Sequence, residues 1–135
     1  TVLGMNDEEL AANRQADRRI VHDLNRRPLL ELDDESFDDV VCCVSVDYLV
    51  RPLEVFTEVH RVLRPGGRFV CTFSNRCFPT KAILGWHQLS GAQRRELVRL
   101  YFDLAGRWSD VVEHDRIEPG AGSDPLHAVW ATKVP

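Results

Sequence analysis

The sequence predicts an α/β fold built on a mostly parallel sheet, and residues 37–74 carry that prediction. Residues 40–44 form an unbroken apolar run, which is typical of a strand buried on both faces of a parallel sheet. Residues 68–74 have the same character. Between them lies a helix that starts at Pro52, a residue suited to the first helical position, and that cannot continue through Pro65. This order predicts a βαβ unit with a right-handed crossover.

The helix of this unit has one apolar face, which indicates that it packs on the sheet. Apolar residues recur along it at three- and four-residue spacing, and Gly66 or Gly67 can adopt the positive φ that turns the chain into the next strand. The apolar positions are Val55, Phe56, Val59, Val62 and Leu63.

Length and composition indicate one globular domain, residues 1–135. The chain is 44% hydrophobic and 28% charged, with a net charge of -4, as in ordinary soluble proteins. The acidic balance argues against a nucleic-acid or anionic-membrane binder. No apolar run approaches the ~20 residues that span a bilayer, and no signal peptide opens the chain, so a cytoplasmic location is expected.

The cysteines and histidines do not form a recognisable catalytic or metal-binding pattern. Cys42 and Cys43 are adjacent inside a predicted strand, which favours small core residues over a disulfide framework. CxxC spacing with partnering histidines does not occur, so no metal is expected. The five histidines are scattered and match no triad.

The N-terminal third predicts a strand end, a helix and a second strand. Residues 1–6 resemble the end of a strand and lack an initiator Met, so an upstream segment is expected to be missing. Asn6 is a candidate N-cap, with Glu9 in capping-box relation, for a helix through Ala12. A strand is predicted at residues 18–24, followed by an acidic surface connection at residues 25–36.

The C-terminal half predicts two helices and two strands. A short helix is expected at residues 80–86. A longer one begins with Ser90 as N-cap and Gln93 as its capping-box partner, and it stops at Gly106. Strands are expected at residues 108–114 and 127–133, around a turn region at residues 118–125. The predicted buried face of the longer helix comprises Leu97, Leu100, Tyr101 and Leu104.

Two sequence segments together resemble the class I S-adenosylmethionine-dependent methyltransferases of the small-molecule type. Residues 37–41 through Tyr48 and Leu49 are similar to the family's fourth strand, and residues 61–67 are similar to the turn before its fifth. The resemblance covers the chain from the family's second strand to its last antiparallel hairpin. It implies a Rossmann-like fold, S-adenosyl-L-methionine as cofactor and a small-molecule methyl acceptor.

The same resemblance implies that the domain is truncated. The family's first strand and the Gly-rich loop after it have no counterpart, since the only N-terminal glycine is Gly4. That strand sits at the centre of the family's sheet. Because unpaired buried backbone groups cost ~1–3 kcal/mol each, the chain must pair the second strand with the fourth, borrow a strand from another copy, or expose edges that promote association. We therefore expect a rearranged sheet or an intimate homodimer.

The resemblance also implies the cofactor site. Met5 and Asn6 stand where the family offers an acid to the ribose, although Asn6 is equally an N-cap. Asp23 and Leu24 match the adenine-binding pair, with a turn-forming role for Asp23 as the alternative. Val44 and Ser45 would pass beneath the cofactor.

The resemblance places Asp47 and Tyr48 at the methyl-transfer site, and Asn75 and Arg76 beside the substrate. Tyr48 is a candidate for stacking on a substrate or sulfonium cation, although an aromatic residue after a buried strand is often core. Asn75 and Arg76 follow the next strand and would orient a polar or anionic substrate, with loop hydrogen bonding as the alternative. No catalytic residue is assigned.

Two functions from different classes remain open. One is a methyltransferase, or part of one, acting on a small molecule without a strong acid or base. The other is a catalytically silent methyltransferase-like module for association or regulation. A nicotinamide-dependent oxidoreductase is the weakest alternative, because it requires a GxGxxG turn and the sequence has none.

Overall fold

The computed structural model describes residues 1–117 and 122–135, which form an α/β fold with two separate sheets. A two-stranded parallel sheet pairs β1 with β2, and a four-stranded mixed sheet has the order β3–β4–β6–β5. The strands are β1 (Val2–Gly4), β2 (Arg19–Val21), β3 (Phe37–Cys43), β4 (Leu63–Ser74), β5 (Val112–Ile117) and β6 (Leu126–Thr132), and the helices are α1 (Asp7–Ala12), α2 (Pro52–Val62) and α3 (Gly91–Leu104).

The predicted βαβ unit is confirmed. β3 and β4 are parallel, with Asp39 opposite Arg68 and Cys43 opposite Thr72. β4 then pairs antiparallel with β6, and β6 with β5, which confirms the C-terminal hairpin. The Pro65 to Gly67 turn lies inside β4 as a shift of register, where Gly66 has a φ of 83°.

The core lies on one face of the four-stranded sheet, beneath α2 and α3. Phe56 of α2 is fully buried, and its ring centre lies 4.8 Å from that of Phe69 on β4 and 4.9 Å from that of Phe102 on α3. Edge-to-face aromatic packing of this kind adds to the free energy of burial. The βαβ unit is therefore held by a cluster of aromatic rings that spans both helices and the sheet.

Burial on both faces of β3 was the wrong expectation. Val40 and Cys42 are partly buried, whereas Val41 is 62% exposed and Cys43 is exposed. Both long helices pack on the same face, since α2 contacts α3 as well as β4. The opposite face of β3 is thus uncovered, so an apolar run is exposed at alternate positions.

The strands are divided between two sheets, and the strand edges next to the missing first strand of the family are open. Among residues 1–117 and 122–135, β3 pairs only with β4 and β1 only with β2. Pairing of the second strand with the fourth is not the arrangement observed. Met5, Val41 and Val44, next to these edges, are 71%, 62% and 44% exposed.

Side chains outside the sheets connect the two halves. The Asn25 amide donates to the Tyr48 carbonyl at 2.8 Å and accepts from the Val50 N–H at 2.9 Å. The Glu58 carboxylate of α2 accepts from the Leu30 N–H at 2.7 Å and from Arg61 at 2.5 Å. The loop after β2 is therefore held against the four-stranded half.

Three element predictions need correction. The strand at residues 18–24 is only β2, because the Asp23 carbonyl accepts from the Arg26 and Arg27 N–H groups and turns the chain. Residues 80–85 are not helical, since the Ile83 N–H donates to the Asp47 carbonyl at 2.9 Å and Gly85 has a φ of 86°, and a 3-10 helix spans only Trp86–Gln88. The expected strand at residues 108–114 starts at Val112, and Trp108 makes only an isolated bridge to Lys133.

The predicted N-caps of both helices are confirmed, and the predicted buried face of α3 is confirmed in part. Asn6 caps α1, and Ser90 with Gln93 forms the capping box of α3. Of the predicted face, Tyr101 is buried and Leu97 packs on the core, whereas Leu100 and Leu104 are 45% and 61% exposed. The buried residues of α3 are Arg94, Val98, Tyr101 and Phe102. Part of the predicted turn at residues 118–125 lies outside the described residues.

Candidate functional site

The candidate site lies where β1, β2, β3 and β4 end. Ligands of open α/β sheets bind at the carboxyl ends of parallel strands. The predicted cofactor residues come directly after β1, β2 and β3, and the predicted substrate residues follow β3 and β4. The fold brings the loops after β2 and β3 together through Asn25, which bonds to both Tyr48 and Val50.

Asp23 and Leu24 present free hydrogen-bonding groups after β2. One Asp23 oxygen, Oδ1, accepts from the Asn25 N–H at 2.9 Å, so Asp23 does form the turn that was given as its alternative role. Its Oδ2 and the Leu24 N–H have no partner among the described residues. One carboxylate oxygen and the next backbone N–H fit the amino group and ring nitrogen of an adenine, as an acceptor and a donor.

Asn6 is occupied as a helix cap. Its side-chain oxygen accepts from the Glu8 and Glu9 N–H groups at 3.0 and 3.3 Å. Met5, one residue before it, is 71% exposed and offers an apolar surface beside the end of β1. Contact of Met5 and Asn6 with a ribose stays a prediction.

Val44 is held in a strained backbone conformation at the end of β3. Its φ is 45°, a left-handed value that costs ~1–2 kcal/mol for residues with a Cβ. Its N–H donates to the Thr72 carbonyl at 2.8 Å, and Ser45 next to it contacts the Cys42 sulfur at 3.3 Å through Oγ. Strained residues of this kind cluster at functional sites.

Tyr48 lies between this turn and the segment of residues 75–89, which follows β4. Its hydroxyl oxygen accepts from the Phe78 N–H at 3.0 Å, and the two ring centres are 6.4 Å apart. Phe78 itself is 64% exposed. Together, Tyr48 and Phe78 form an aromatic rim at the carboxyl end of β3.

Asn75 and Arg76 are exposed and engaged in loop contacts. The Asn75 side-chain oxygen accepts from the Ser74 hydroxyl at 3.2 Å. Arg76 forms an ion pair with Asp124 at 2.7 Å, so its guanidinium reaches the loop before β6. Their predicted role in orienting a substrate remains a prediction.

The most unusual group of the site is Asp47, which the sequence places with Tyr48 at the methyl-transfer site without giving it a role of its own. Its side chain is buried, and the residue is only 3% exposed. Burial raises the pKa of the Asp47 carboxyl, while its own backbone N–H and the charges of Arg94 and His87 oppose this.

A thiol and an imidazole lie beside Asp47. The Cys77 sulfur is 3.5 Å from Nδ1 of His87. Burial, and next the negative charge of Asp47, raise the pKa of the Cys77 thiol. These residues are ten positions apart or more along the chain, so no local spacing indicated the cluster.

The order of strands and helices, with the site at the strand ends, defines a class I S-adenosylmethionine-dependent methyltransferase fold. The family model described as a methyltransferase domain matches residues 2–71, just over half of the chain. The chain therefore belongs to the methyltransferase domain family. In the part of the chain that the structure describes, no helix is long and apolar enough to cross a membrane.

Known proteins agree with this assignment. The chain is 38% identical over 76 residues to the ubiquinone/menaquinone biosynthesis C-methyltransferase UbiE of Methylobacterium nodulans, which covers 53% of this chain and 30% of that protein. The chain thus spans less than a third of that relative.

Solved structures show the same fold at low identity. A SAM-dependent methyltransferase from Aquifex aeolicus has a TM-score of 0.62 and 18% identity, over 98% of this chain and 67% of that one. A geranyl diphosphate methyltransferase in complex with SAM has a TM-score of 0.60 and 19% identity, over 98% and 67%.

Proposed function

We propose that this chain is a single, incomplete methyltransferase domain that binds the adenosine part of S-adenosylmethionine and takes part in methyl transfer to a small molecule. When bound, that cofactor supplies a methyl group on a sulfonium. The observation that carries the proposal is the free Oδ2 of Asp23 beside the free N–H of Leu24, at the end of a strand in a methyltransferase fold.

Residues after β1, β2 and β3 would bind the cofactor, and residues after β3 and β4 would bind the methyl acceptor. Asp23 and Leu24 would hold the adenine, Met5 and Asn6 would lie along the ribose, and the Val44 turn would support the cofactor from below. Tyr48 and Phe78 would hold the acceptor and exclude water, since the protein in such reactions mainly aligns the reactants. The Gly-rich turn that holds the methionine part in the family has no counterpart among residues 1–135.

A small-molecule acceptor is supported by the names of two similar proteins. One is a C-methyltransferase of ubiquinone/menaquinone biosynthesis, and the other a geranyl diphosphate methyltransferase. The exposed Phe78 and Val50, 64% and 61% exposed beside Tyr48, support an acceptor with an apolar body. A cytoplasmic location remains part of this proposal.

Calorimetric titration of S-adenosylhomocysteine into the folded chain tests the proposal. We expect binding, and we expect Asp23→Ala to weaken it by about 10-fold, because a lost charged hydrogen bond costs ~1.5–3 kcal/mol. Asp17→Ala is the matched control, since Asp17 is an exposed acid before β2. Absence of binding heat from a folded sample, or equal effects of both variants, would contradict the proposal.

The second candidate function, a silent association module, is favoured by the open edges of β1 and β3. We propose that an additional strand pairs with β3, supplied by a second copy or by a segment outside residues 1–135. Unpaired strand edges are templates for such pairing. Light scattering with size-exclusion chromatography tests the second copy: a concentration-independent monomer would exclude the homodimer.

A further inference from the structure

Two of the four cysteines lie opposite each other on the neighbouring strands β3 and β4. Cys42 is paired with Cys71 in the parallel register of these strands. Neighbouring strands lie about 4.8 Å apart, and the Cα atoms of a disulfide are usually about 4.4–6.8 Å apart. The two backbones are therefore close enough for a disulfide without any movement of the sheet.

Both side chains also point to the same face of the sheet. Cys71 is fully buried in the core, and Cys42 is partly buried and packs against that core. Cys43, the next residue of β3, is exposed on the opposite face, because successive side chains of a strand alternate. Since a disulfide requires side chains that do not point apart, Cys71 can be bridged to Cys42 and not to Cys43.

We propose that Cys42 and Cys71 form a redox modification site, at which a hydroperoxide converts the two thiols into a disulfide. This site goes beyond the proposed methyltransferase function and does not depend on it. The sequence alone favours small core residues at these positions, because only the fold brings Cys71 beside Cys42.

A small oxidant can reach Cys42 but not Cys71. Cys42 lies on β3, which pairs only with β4 in the described part of the chain, so one edge of its strand is open. Its sulfur lies 3.3 Å from Oγ of Ser45, in the turn that follows the strand. Cys71 is enclosed between β3 and β6 and is fully buried. Oxidation would therefore start at Cys42.

The acidity of the two thiols supports the same order. A hydrogen bond with the Cys71 thiol lowers the pKa of Cys42, although burial opposes this. Burial raises the pKa of Cys71 well above its usual value, and the interaction with Cys42 adds to this. Because the thiolate is the reactive form of cysteine, Cys42 is the thiol that attacks the oxidant, and Cys71 is the thiol that closes the disulfide.

The oxidation takes place in two steps. The Cys42 thiolate attacks one oxygen of hydrogen peroxide, the O–O bond breaks, and hydroxide leaves with the proton of the Cys42 thiol as water, so that Cys42 becomes a sulfenic acid. The Cys71 sulfur then attacks the Cys42 sulfur, an S–S bond forms, and the second hydroxide leaves with the Cys71 proton as water. The two thiols lose two electrons in total, and the peroxide is reduced to two waters.

The disulfide would join β3 to β4 at the end of the sheet that carries the candidate site. Val44 and Ser45 follow Cys42 within three residues, and the contact between the Cys42 sulfur and the Ser45 hydroxyl would change, because a disulfide sulfur has no proton to donate. A disulfide also restricts the unfolded chain. We therefore expect the oxidised chain to unfold at a higher temperature than the reduced chain.

Peptide mapping without reductant tests the site in the whole chain. The folded chain is treated with hydrogen peroxide, the remaining thiols are alkylated after unfolding, and the peptides are identified by mass spectrometry. We expect the peptides of Cys42 and Cys71 to be joined within one chain and to separate with dithiothreitol, which reduces disulfides by thiol exchange. The midpoint of thermal unfolding should rise by about 5–10 °C on oxidation and return on reduction.

Cys43→Ser is the matched control, since it removes the neighbouring thiol on the opposite face of β3. It should leave both the disulfide and the rise in the unfolding midpoint unchanged, whereas Cys42→Ser should abolish both. If Cys42→Ser does not fold, peptide mapping of Cys43→Ser still assigns the disulfide, because Cys42 is then the only cysteine of its segment.

Three results would overturn the inference. The first is that Cys42 and Cys71 both remain free thiols after peroxide treatment. The second is that Cys42 is oxidised to a sulfinic acid while Cys71 stays free. The third is that the only disulfide formed uses Cys43 or joins two copies of the chain. None of these results depends on S-adenosylhomocysteine binding, so they leave the proposed function to its own test.

Discussion

The two halves of the molecule differ in how they are stabilised. The four-stranded half has a continuous core in which Phe56, Phe69 and Phe102 are at most 1% exposed. In the β1–β2 half, the strands have three residues each and α1 buries none of its side chains. Two short strands are marginally stable by themselves. The half that carries Asp47 and Tyr48 is thus self-supporting, whereas the half that carries Asp23 depends on its attachment.

The largest effect is expected from the core of the four-stranded half. Phe56→Ala removes a fully buried ring that contacts three other aromatic rings. We expect a loss of ~3–5 kcal/mol in the free energy of unfolding, measured by chemical denaturation. Leu100→Ala, at a residue that is 45% exposed on α3, should cost less than ~0.5 kcal/mol. A similar cost for both would contradict the assignment of the core.

The next effect concerns the attachment through Glu58. Its carboxylate is buried and joins Arg61 to the Leu30 N–H, and Glu58→Gln should cost about 2–3 kcal/mol by weakening these charged bonds. The hydrogen bond from Arg61 holds the pKa of Glu58 below its usual value of 4.5, although burial opposes this.

The pH dependence follows from that lowered pKa. The stabilisation by Glu58 is complete above pH 4.5, the unfolded value, and is lost as pH falls through the lower folded value. Chemical denaturation at several acidic pH values should therefore show that the free energy of unfolding falls more steeply with decreasing pH in the unmodified chain than in Glu58→Gln. Parallel curves would show that Glu58 does not stabilise the attachment.

Asn25→Ala is expected to loosen the attachment of the β1–β2 half to the four-stranded half without changing either sheet. It removes both hydrogen bonds of the side chain to the turn after β3, and we expect a cost of about 1–2 kcal/mol. Residual dipolar couplings of the two sheets should fit one orientation in the unmodified chain and two in the variant. Asn13→Ala, which removes a bond to Gln15 in an exposed turn, should leave one orientation.

The smallest expected effect is an increase in the free energy of unfolding. Val44→Gly removes the strain of the φ of 45°, but glycine also adds conformational entropy to the unfolded chain. The net increase in stability should be roughly 0.5 kcal/mol. Val41→Gly is the matched control on β3, where no strain exists and a loss of ~1 kcal/mol is expected. Thermal unfolding measures both. A loss of equal size at both positions would show that the Val44 turn is not strained.

Sequence reasoning predicted the self-supporting half well because its elements are long and have clear ends. Pro52 and the apolar spacing after it placed α2, and Ser90 with Gln93 placed the start of α3. The exposure of Leu100 and of Val41 could not be predicted, since an apolar pattern does not reveal which faces find a partner. The helix predicted within residues 75–89 does not form, and the Ile83 N–H there donates to the Asp47 carbonyl instead. A bond between residues so far apart in the chain could not be predicted from local spacing.

The candidate site was predicted in part. Asp23 and Tyr48 were found because each follows a recognisable strand. Asp47 was expected beside Tyr48, but the neighbouring pair of Cys77 and His87 was missed, because these two residues are ten positions apart and no short motif contains them. Asn25 was likewise missed, since its importance comes from bonds to residues more than twenty positions away.

Amide hydrogen exchange of the unliganded chain tests the central claim, that the halves differ in stability. We predict that Ile20 in β2 exchanges at least about 100-fold faster than Val129 in β6, since weakly packed units open locally while core strands open only with global unfolding. Equal protection of the two amides, with the same dependence on denaturant, would show a single cooperative unit and contradict the account.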